Sequence, residues 1–246
     1  ELISIYVALE MTALPLAALA AFLRDSRSTE AGLKFLILSA ISSGILLYGM
    51  TLVYGFTGTT YLSEIASVIS RPEAGAPPFG SYALLLGIVL IVAGFGFKIA
   101  SVPFQMWVPD VYEGAPTPVT AYLSVASKGA GFAVLLRVFY TAFPEVSINW
   151  ETLFAGLAVA SMFIGNLVAI AQSNIKRLLG YSTISHAGYL LVGMAAIAGD
   201  SQQGVSGPGS VLFYLGAYSA TNLAAFFAII AISRHTGSDQ IDDLAG

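Results

Sequence analysis

The stretch that decides the fold class of this 246-residue chain runs from Ser81 to Pro109 and reads SYALLLGIVLIVAGFGFKIASVPFQMWVP. It is apolar along almost its whole length, and as one continuous helix it would be roughly 43 Å long, more than the ~30 Å hydrocarbon core of a bilayer. A tilted helix is one solution. A helix broken near Gly94–Pro103, with the freed backbone groups lining a polar cavity, is the other. The glycines before Lys98 and the proline after it favour the broken helix.

Other long apolar runs repeat along the chain. A membrane span needs roughly 20 mostly apolar residues, and about seven such runs are present. Since lipid offers no partner to open backbone groups and the runs are too long for barrel strands, the spans are expected to be helices. The predicted fold is therefore all-α, a polytopic transmembrane helix bundle in a single domain over residues 1–246. Its predicted spans are residues 2–23, 31–56, 81–109 (broken), 118–140, 152–171, 178–198 and 210–232.

The segment between the second and third spans, YLSEIASVISR at residues 61–71, has apolar residues at helical spacing. It fits a short interfacial helix or an ordinary loop equally well. The EAGAPPFG that follows is expected to be a flexible connector.

The composition agrees with a membrane protein and excludes several other classes. Hydrophobic residues make up 57% of the chain and charged residues 10%, whereas soluble domains carry about 25% charged residues. The net charge is -4 and the chain has no basic tract, so the sequence gives no electrostatic support for a nucleic-acid partner. The absence of cysteine excludes disulfides, thiolate metal sites and Fe–S ligation, and two distant histidines make no credible metal site. We therefore expect the lipid bilayer as a partner, and no metal or cofactor in this chain.

The distribution of Lys and Arg between loops predicts the orientation. Asp110 and Glu113 are expected in a loop on the positively charged, cytoplasmic side. One side of the predicted bundle collects Arg24, Arg27, Lys176, Arg177 and Arg234, and the other has Arg71 and Arg137.

Five ionisable residues lie within the apolar runs: Glu10, Lys98, Lys128 and His186 well inside, and Lys34 about one turn into the second run. A charge at the bilayer centre costs about 2.5–3.5 kcal/mol, so these groups must pair, face the bundle interior or line water, and they are candidates for a proton or ion path. Desolvation disfavours a buried ammonium and a neighbouring carboxylate favours it, so a lysine between these influences can gain and release a proton near neutral pH.

Structural explanations remain open for these residues. Lys34 could extend its ammonium to the nearby interface. Glu10 and Lys98 could be charges that fix a helix pair or a helix break, and His186 could be a neutral, hydrogen-bonded interhelical residue. Lys128 cannot easily reach an interface, and the small residues around it leave room for water.

Two blocks of the sequence carry a family resemblance. FKIASVPFQMWVPDVYEGAPTPVTAYLSVASKGAGFAVLLR (97–137) resembles the core signature of the antiporter-like, proton-translocating membrane subunits of respiratory complex I. NIKRLLGYSTISHAGYLLVG (174–193) resembles the second signature of that family. The segment VPDVYEGAPTPVT is similar to the sequence of N-type members at this place, and the resemblance spans the whole chain.

The resemblance implies an antiporter-like fold of about fourteen helices with a discontinuous helix and two inverted repeats, of which this chain would cover helices five to eleven. It implies proton translocation coupled to electron transfer in other subunits, so the chain would be a non-redox subunit of a translocase and inactive by itself. NADH, FMN, Fe–S clusters and quinone would belong to partner subunits. The expected partners are other membrane subunits of complex I and protons, in a bacterial plasma membrane or the equivalent organelle membrane.

By the same resemblance, Glu10 is the glutamate of helix five, Lys98 and Lys128 are the central-axis lysines, and Lys34 is a further lysine of N-type members. His186 is the weakest candidate of the relay. Gln105 stands where many members have histidine; it does not titrate, although it can still order water. Three alternatives remain: a cation/proton antiporter or membrane hydrogenase subunit of the same ancestry, a structural membrane spacer, and a small-molecule transporter, for which no substrate site is recognisable.

Overall fold

The computed structural model of the chain describes residues 1–70, 78–144, 150–196 and 207–244. Within these ranges the chain is helical, with one isolated β-bridge between Asn174 and Gln240, so the all-α prediction is confirmed. The helices are α1 (Leu2–Ala20), α2 (Ser26–Thr57), α3 (Leu62–Ile69), α4 (Pro78–Ile99), α5 (Trp107–Gly114), α6 (Thr117–Tyr122), α7 (Lys128–Ala142), α8 (Trp150–Ile170), α9 (Ile175–Ala195) and α10 (Gly207–Thr236), with a π-helical turn at Leu123–Ser127 and a 3-10 turn at Asp242–Leu244.

Six stretches of the described chain are long and apolar enough to cross a membrane. They are Leu2–Ala20, Ser26–Thr57, Tyr82–Ile99, Thr117–Ala142, Thr152–Ile170 and Gly207–Thr236. The α9 helix has 21 residues, a similar length, but it carries more polar residues.

The second helix is longer than the predicted span 31–56. The α2 helix begins at Ser26, where the side chain of Asp25 accepts a hydrogen bond from the Ser28 backbone N–H (2.7 Å). Arg71, the connector residues 73–77 and the last two residues of the predicted span 178–198 lie outside the described residues.

The third predicted span is broken, as favoured above: α4 ends at Ile99 and α5 begins at Trp107. Two backbone groups at the break have side-chain partners. The Phe97 carbonyl accepts a hydrogen bond from the Trp107 indole N–H (3.0 Å), and the Val102 N–H donates to the Ser161 hydroxyl on α8 (3.0 Å). These contacts satisfy two of the backbone groups that the break frees, as a break at membrane depth requires.

Two further expectations concern short helices. The segment that fitted a helix or a loop contains α3, Leu62–Ile69. The prediction that Asp110 and Glu113 lie in a loop is wrong, because both belong to α5, whose apolar residues Trp107, Val108 and Tyr112 are buried.

The bundle has two buried apolar clusters. One joins α4, α7, α8 and α9 through Phe95, Phe132, Phe154 and Leu191, and the other surrounds Trp107 of α5. Large apolar side chains also cover the outside of the bundle, among them Ile170, Phe213 and Phe227 at 83%, 82% and 68% exposure. Apolar surface on this scale fits contact with lipid, and the chain is a multi-pass integral membrane protein.

The half-helix α5 packs very closely on α2. A Cβ added at Gly114 would lie 2.6 Å from the backbone oxygen of Arg27, so only glycine permits this approach. The contact brings the acidic face of α5 to the start of α2.

Candidate functional site

Glu10 and Lys98 both contact serines of α2. Glu10, on α1, accepts a hydrogen bond from the hydroxyl of Ser43. Lys98, in the last turn of α4, donates to the hydroxyl of Ser39 at 3.4 Å and lies 5.8 Å from the Phe97 ring centroid. Among the described residues neither group forms an ion pair within 4.0 Å. In this structure the Glu10 carboxylate and the Lys98 ammonium are therefore separate, and each is hydrogen-bonded to a serine of α2.

A small cavity of about 60 Å³ adjoins Lys98. Thr12 of α1, Trp107 of α5 and Ser127 of the π-helical turn are among its lining residues. A water molecule needs about 10–15 Å³ of such volume together with polar partners, so the cavity has room for more than one. It extends from Lys98 to the residue immediately before Lys128.

Lys128 is the most deeply buried of the predicted site residues, with 2% of its surface exposed. Its ammonium donates to the backbone carbonyl of Thr183 on α9 and lies 5.6 Å from the centroid of the Tyr218 ring. Within the described part of the chain it has no carboxylate partner. The π-helical turn Leu123–Ser127 directly precedes it, and such turns shift the register of a helix and are frequent at functional sites.

Polar side chains continue from Lys128 into α10. The hydroxyls of Thr183 and Tyr218 are 3.0 Å apart. The amide of Asn222 donates to the hydroxyl of Ser124 at 2.7 Å and to that of Tyr218 at 3.2 Å. Sequence reasoning missed this network, although Tyr218 and Asn222 are four residues apart on one face of an apolar helix, a spacing that could have been noticed.

His186 lies next to this network. Its Nδ1 is 2.6 Å from the Tyr214 hydroxyl, and its ring centroid is 4.9 Å from that of Tyr218. The histidine is thus brought into the neighbourhood of Lys128, in contact with tyrosines of α10.

Lys34 belongs to a different group of charges. Its ammonium is 2.7 Å from a carboxylate oxygen of Glu30 and 2.7 Å from one of Asp110. The other oxygen of Asp110 accepts from Arg177 at 2.6 Å, and Arg177 also reaches Glu113 at 3.1 Å. Asp110 therefore joins α2, α5 and α9, and no described contact joins Lys34 to Lys98 or Lys128.

The charges around Asp110 determine its protonation. Burial raises the pKa of this carboxyl, but the hydrogen bonds from Lys34 and Arg177 outweigh burial and hold its pKa below the ordinary value. The cluster lines an open cavity of about 210 Å³ that also includes Arg27. Arg27 and Arg177 thus lie at the same end of the bundle.

Two other observations concern ligands. Gln105, in the break, has a buried Oε1 with no hydrogen-bond partner among the described residues. In the described ranges no group of three or more His, Asp or Glu side chains could hold a metal ion.

Comparison with known proteins gives relatives along the whole chain. The model of the family described as NADH:quinone oxidoreductase/Mrp antiporter, TM, matches residues 1–246. NADH-quinone oxidoreductase subunit N of Dehalococcoides mccartyi is 49% identical over 100% of this chain and 51% of its own length. Subunit N of Moorella thermoacetica is 51% identical over 100% of this chain and 49% of its own length. The chain thus spans about half the length of these relatives.

Solved structures give the same fold. A chain of the membrane-bound sulfane sulfur reductase, an archaeal respiratory membrane complex, superposes with a TM-score of 0.84 at 26% identity, over 98% of this chain and 47% of that one. A chain of respiratory complex I from Thermus thermophilus superposes with a TM-score of 0.72 at 36% identity, over 94% and 46%. A chain of the Mrp complex from Dietzia shares the fold at a TM-score of 0.78 and 24% identity, over 95% and 41%. The predicted resemblance is confirmed, and the chain belongs to the NADH:quinone oxidoreductase/Mrp antiporter transmembrane family.

Proposed function

We propose that this chain forms the proton-translocating part of an N-type subunit of an NADH:quinone oxidoreductase. Protons move along Glu10, Lys98 and Lys128, while electron transfer takes place in other subunits. The observation that carries the proposal is Lys128, an ammonium buried at 2% exposure on a backbone carbonyl, with no carboxylate among the described residues.

The partners of Lys128 suit a group that gains and loses a proton. Burial disfavours the charged form, and a carbonyl oxygen accepts a hydrogen bond from an amine as well as from an ammonium. Releasing the proton therefore leaves no buried carboxylate without its counter-ion. Lys98, whose described polar contact is a serine hydroxyl, has the same property.

The proton would move in two steps. When the Glu10 carboxylate approaches Lys98, the ion pair favours the protonated lysine. When they separate, the arrangement found in this structure, Lys98 can release its proton through water in the adjoining cavity to Lys128 once Lys128 has passed on its own proton and is a neutral amine. The hydroxyls around Thr183 and Tyr218, with His186 beside them, extend the polar path from there toward α10.

The contacts of Lys34 support a different role. A lysine between two carboxylates at 2.7 Å is held in its charged form. We therefore assign Lys34 to the anchoring of α5, although the family resemblance predicts it as a relay residue.

The remaining components follow from the names of the relatives. NADH, FMN, Fe–S clusters and quinone would be bound by partner subunits, and this chain would contribute the proton path alone. Its partners would be other membrane subunits of the complex, the bilayer and protons.

The test uses the complete parent complex in sealed vesicles, with assembly checked on a native gel. Lys128→Met removes the titrating group and keeps a side chain of similar length. We expect the complex to assemble and the number of protons moved per electron to fall. An assembled complex with an unchanged proton yield would contradict the proposal.

A second candidate function is cation/proton antiport, because the family description includes Mrp antiporters. Sodium-dependent proton movement in the absence of NADH would favour it, and an NADH-driven proton yield that does not depend on sodium would exclude it.

A further inference from the structure

The α2 helix carries four buried serines: Ser28, Ser39, Ser42 and Ser43, at 0%, 3%, 6% and 4% exposure. Buried hydroxyls need hydrogen-bond partners. Ser28 donates to the Ala20 carbonyl at 2.7 Å, and Ser42 donates to the Gly94 carbonyl at 3.1 Å. Both contacts join α2 to the backbone of a neighbouring segment.

Ser39 and Ser43 have partners of another kind. The Ser43 hydroxyl donates a hydrogen bond to the Glu10 carboxylate, and the Ser39 hydroxyl accepts one from the Lys98 ammonium. The two serines are four residues apart and lie on the same side of α2. One helical turn of α2 therefore contacts both the carboxylate and the ammonium of the proposed relay.

A hydroxyl can act as donor or acceptor. Ser39 can therefore accept a hydrogen bond from the charged Lys98 and donate one to the neutral amine that remains after the proton has left, while Ser43 donates to the Glu10 carboxylate. The proton of Ser43 faces a carboxylate, and the oxygen of Ser39 faces an ammonium. Each contact replaces part of the stabilisation that Glu10 and Lys98 would give each other as an ion pair.

We infer that Ser39 and Ser43 are positioning residues that hold Lys98 and Glu10 apart, and so make the separated arrangement a defined state of the relay. This inference rests on the proposed function. Without either hydroxyl, the balance shifts toward the closed Glu10–Lys98 pair, the proton stays on Lys98, and proton transfer slows. The loss of one charge-assisted hydrogen bond corresponds to a shift on the order of tenfold in that balance.

The test compares Ser39→Ala and Ser43→Ala with Ser42→Ala in the full-length parent complex in sealed vesicles. Ser42 is a matched control: it lies on the same helix, is similarly buried, and loses the same hydroxyl, but its partner is a backbone carbonyl. We expect a several-fold slower proton transfer in the first two variants and little change in the control. Ser43→Thr keeps the hydroxyl and should restore the rate; it also serves as the test if Ser43→Ala does not assemble.

Two readouts separate positioning from general damage. In a Glu10→Gln background no ion pair can close, so Ser39→Ala and Ser43→Ala should have no additional effect; an additive effect would overturn the inference. The infrared carboxylate band that disappears in Glu10→Gln should shift in Ser43→Ala and stay in place in Ser42→Ala.

The result for Lys128→Met, measured in the same vesicles, separates the two levels of the account. If Lys128→Met lowers the proton yield but all three alanine variants behave alike, the positioning role is wrong and the relay stands. If Lys128→Met leaves the yield unchanged, the proposed function itself is wrong.

Discussion

Lys34 and Lys128 lie in two regions of the bundle with opposite chemistry. The ammonium of Lys34 contacts two carboxylates, and its side chain is 40% exposed. The ammonium of Lys128 is buried and contacts a carbonyl oxygen and the face of an aromatic ring. Both residues are lysines in apolar runs, but they differ in burial and in their partners. The comparison teaches that burial and counter-charge together decide which role we propose for a lysine: Lys34 as an anchor between helices and Lys128 as a group that releases a proton.

The ion pairs that Lys34 and Arg177 form with Glu30, Asp110 and Glu113 make up the anchoring region. The largest effect on stability is expected when this region loses Asp110, the carboxylate that both cations share. Asp110→Ala leaves Lys34 without one of its two carboxylate partners and Arg177 with Glu113 alone. We expect a loss of about 2 kcal/mol in unfolding free energy, less than the 3–5 kcal/mol of a fully buried pair because the Asp110 side chain is 32% exposed. Thermal unfolding of the purified parent subunit in detergent would measure it.

The matched control for Asp110→Ala is Glu30→Ala. Glu30 also contacts Lys34 at 2.7 Å, but its side chain is 63% exposed, and exposed pairs contribute about 0–1 kcal/mol. Equal losses in the two variants would show that Asp110 has no special role as the junction of α2, α5 and α9.

A smaller effect is expected from Tyr218→Phe, in the polar network beside Lys128. This change keeps the ring beside Lys128 and removes the hydroxyl that contacts Thr183 and Asn222. The expected loss is about 1 kcal/mol of unfolding free energy for the broken network, with a slower proton transfer in vesicles. Tyr48→Phe on α2, where the tyrosine is 57% exposed, is the control, and a matching loss there would contradict the account.

The smallest effect concerns pH in the anchoring region. The folded-state pKa of Asp110 lies below its ordinary value, so its ion pairs stabilise the protein at pH above that ordinary value. This contribution is lost as the pH falls through the folded-state pKa. The stability difference between the natural protein and Asp110→Asn should therefore shrink as the medium is acidified below about pH 4, and a constant difference down to pH 2 would argue against it.

The sequence predicted the all-α membrane fold and its discontinuous helix, because apolar length and the Gly and Pro positions are local features. It could not predict the partners of the lysines. Lys34 pairs with a residue 76 positions away, and Lys128 bonds to one 55 positions away. Contacts at such separations depend on how helices pack, which no local pattern specifies.

The error at Asp110 and Glu113 has a physical reason. Pro109 and Gly114, with two acidic residues between them, are typical of a loop. The segment is helical because Trp107, Val108 and Tyr112 on one side of it are buried against the rest of the bundle. Lys34 and Arg177 neutralise the acidic residues on the other side. Both stabilising contributions come from distant parts of the chain.

The most direct test of the relay is Lys128→Arg in the parent complex, with the proton yield per electron measured in sealed vesicles. Arginine keeps the positive charge and cannot release its proton, so it separates a need for charge from a need for titration. The account predicts an assembled complex whose proton yield falls as it does in Lys128→Met. A proton yield equal to that of the natural complex would contradict it and make Lys128 a fixed charge like Lys34.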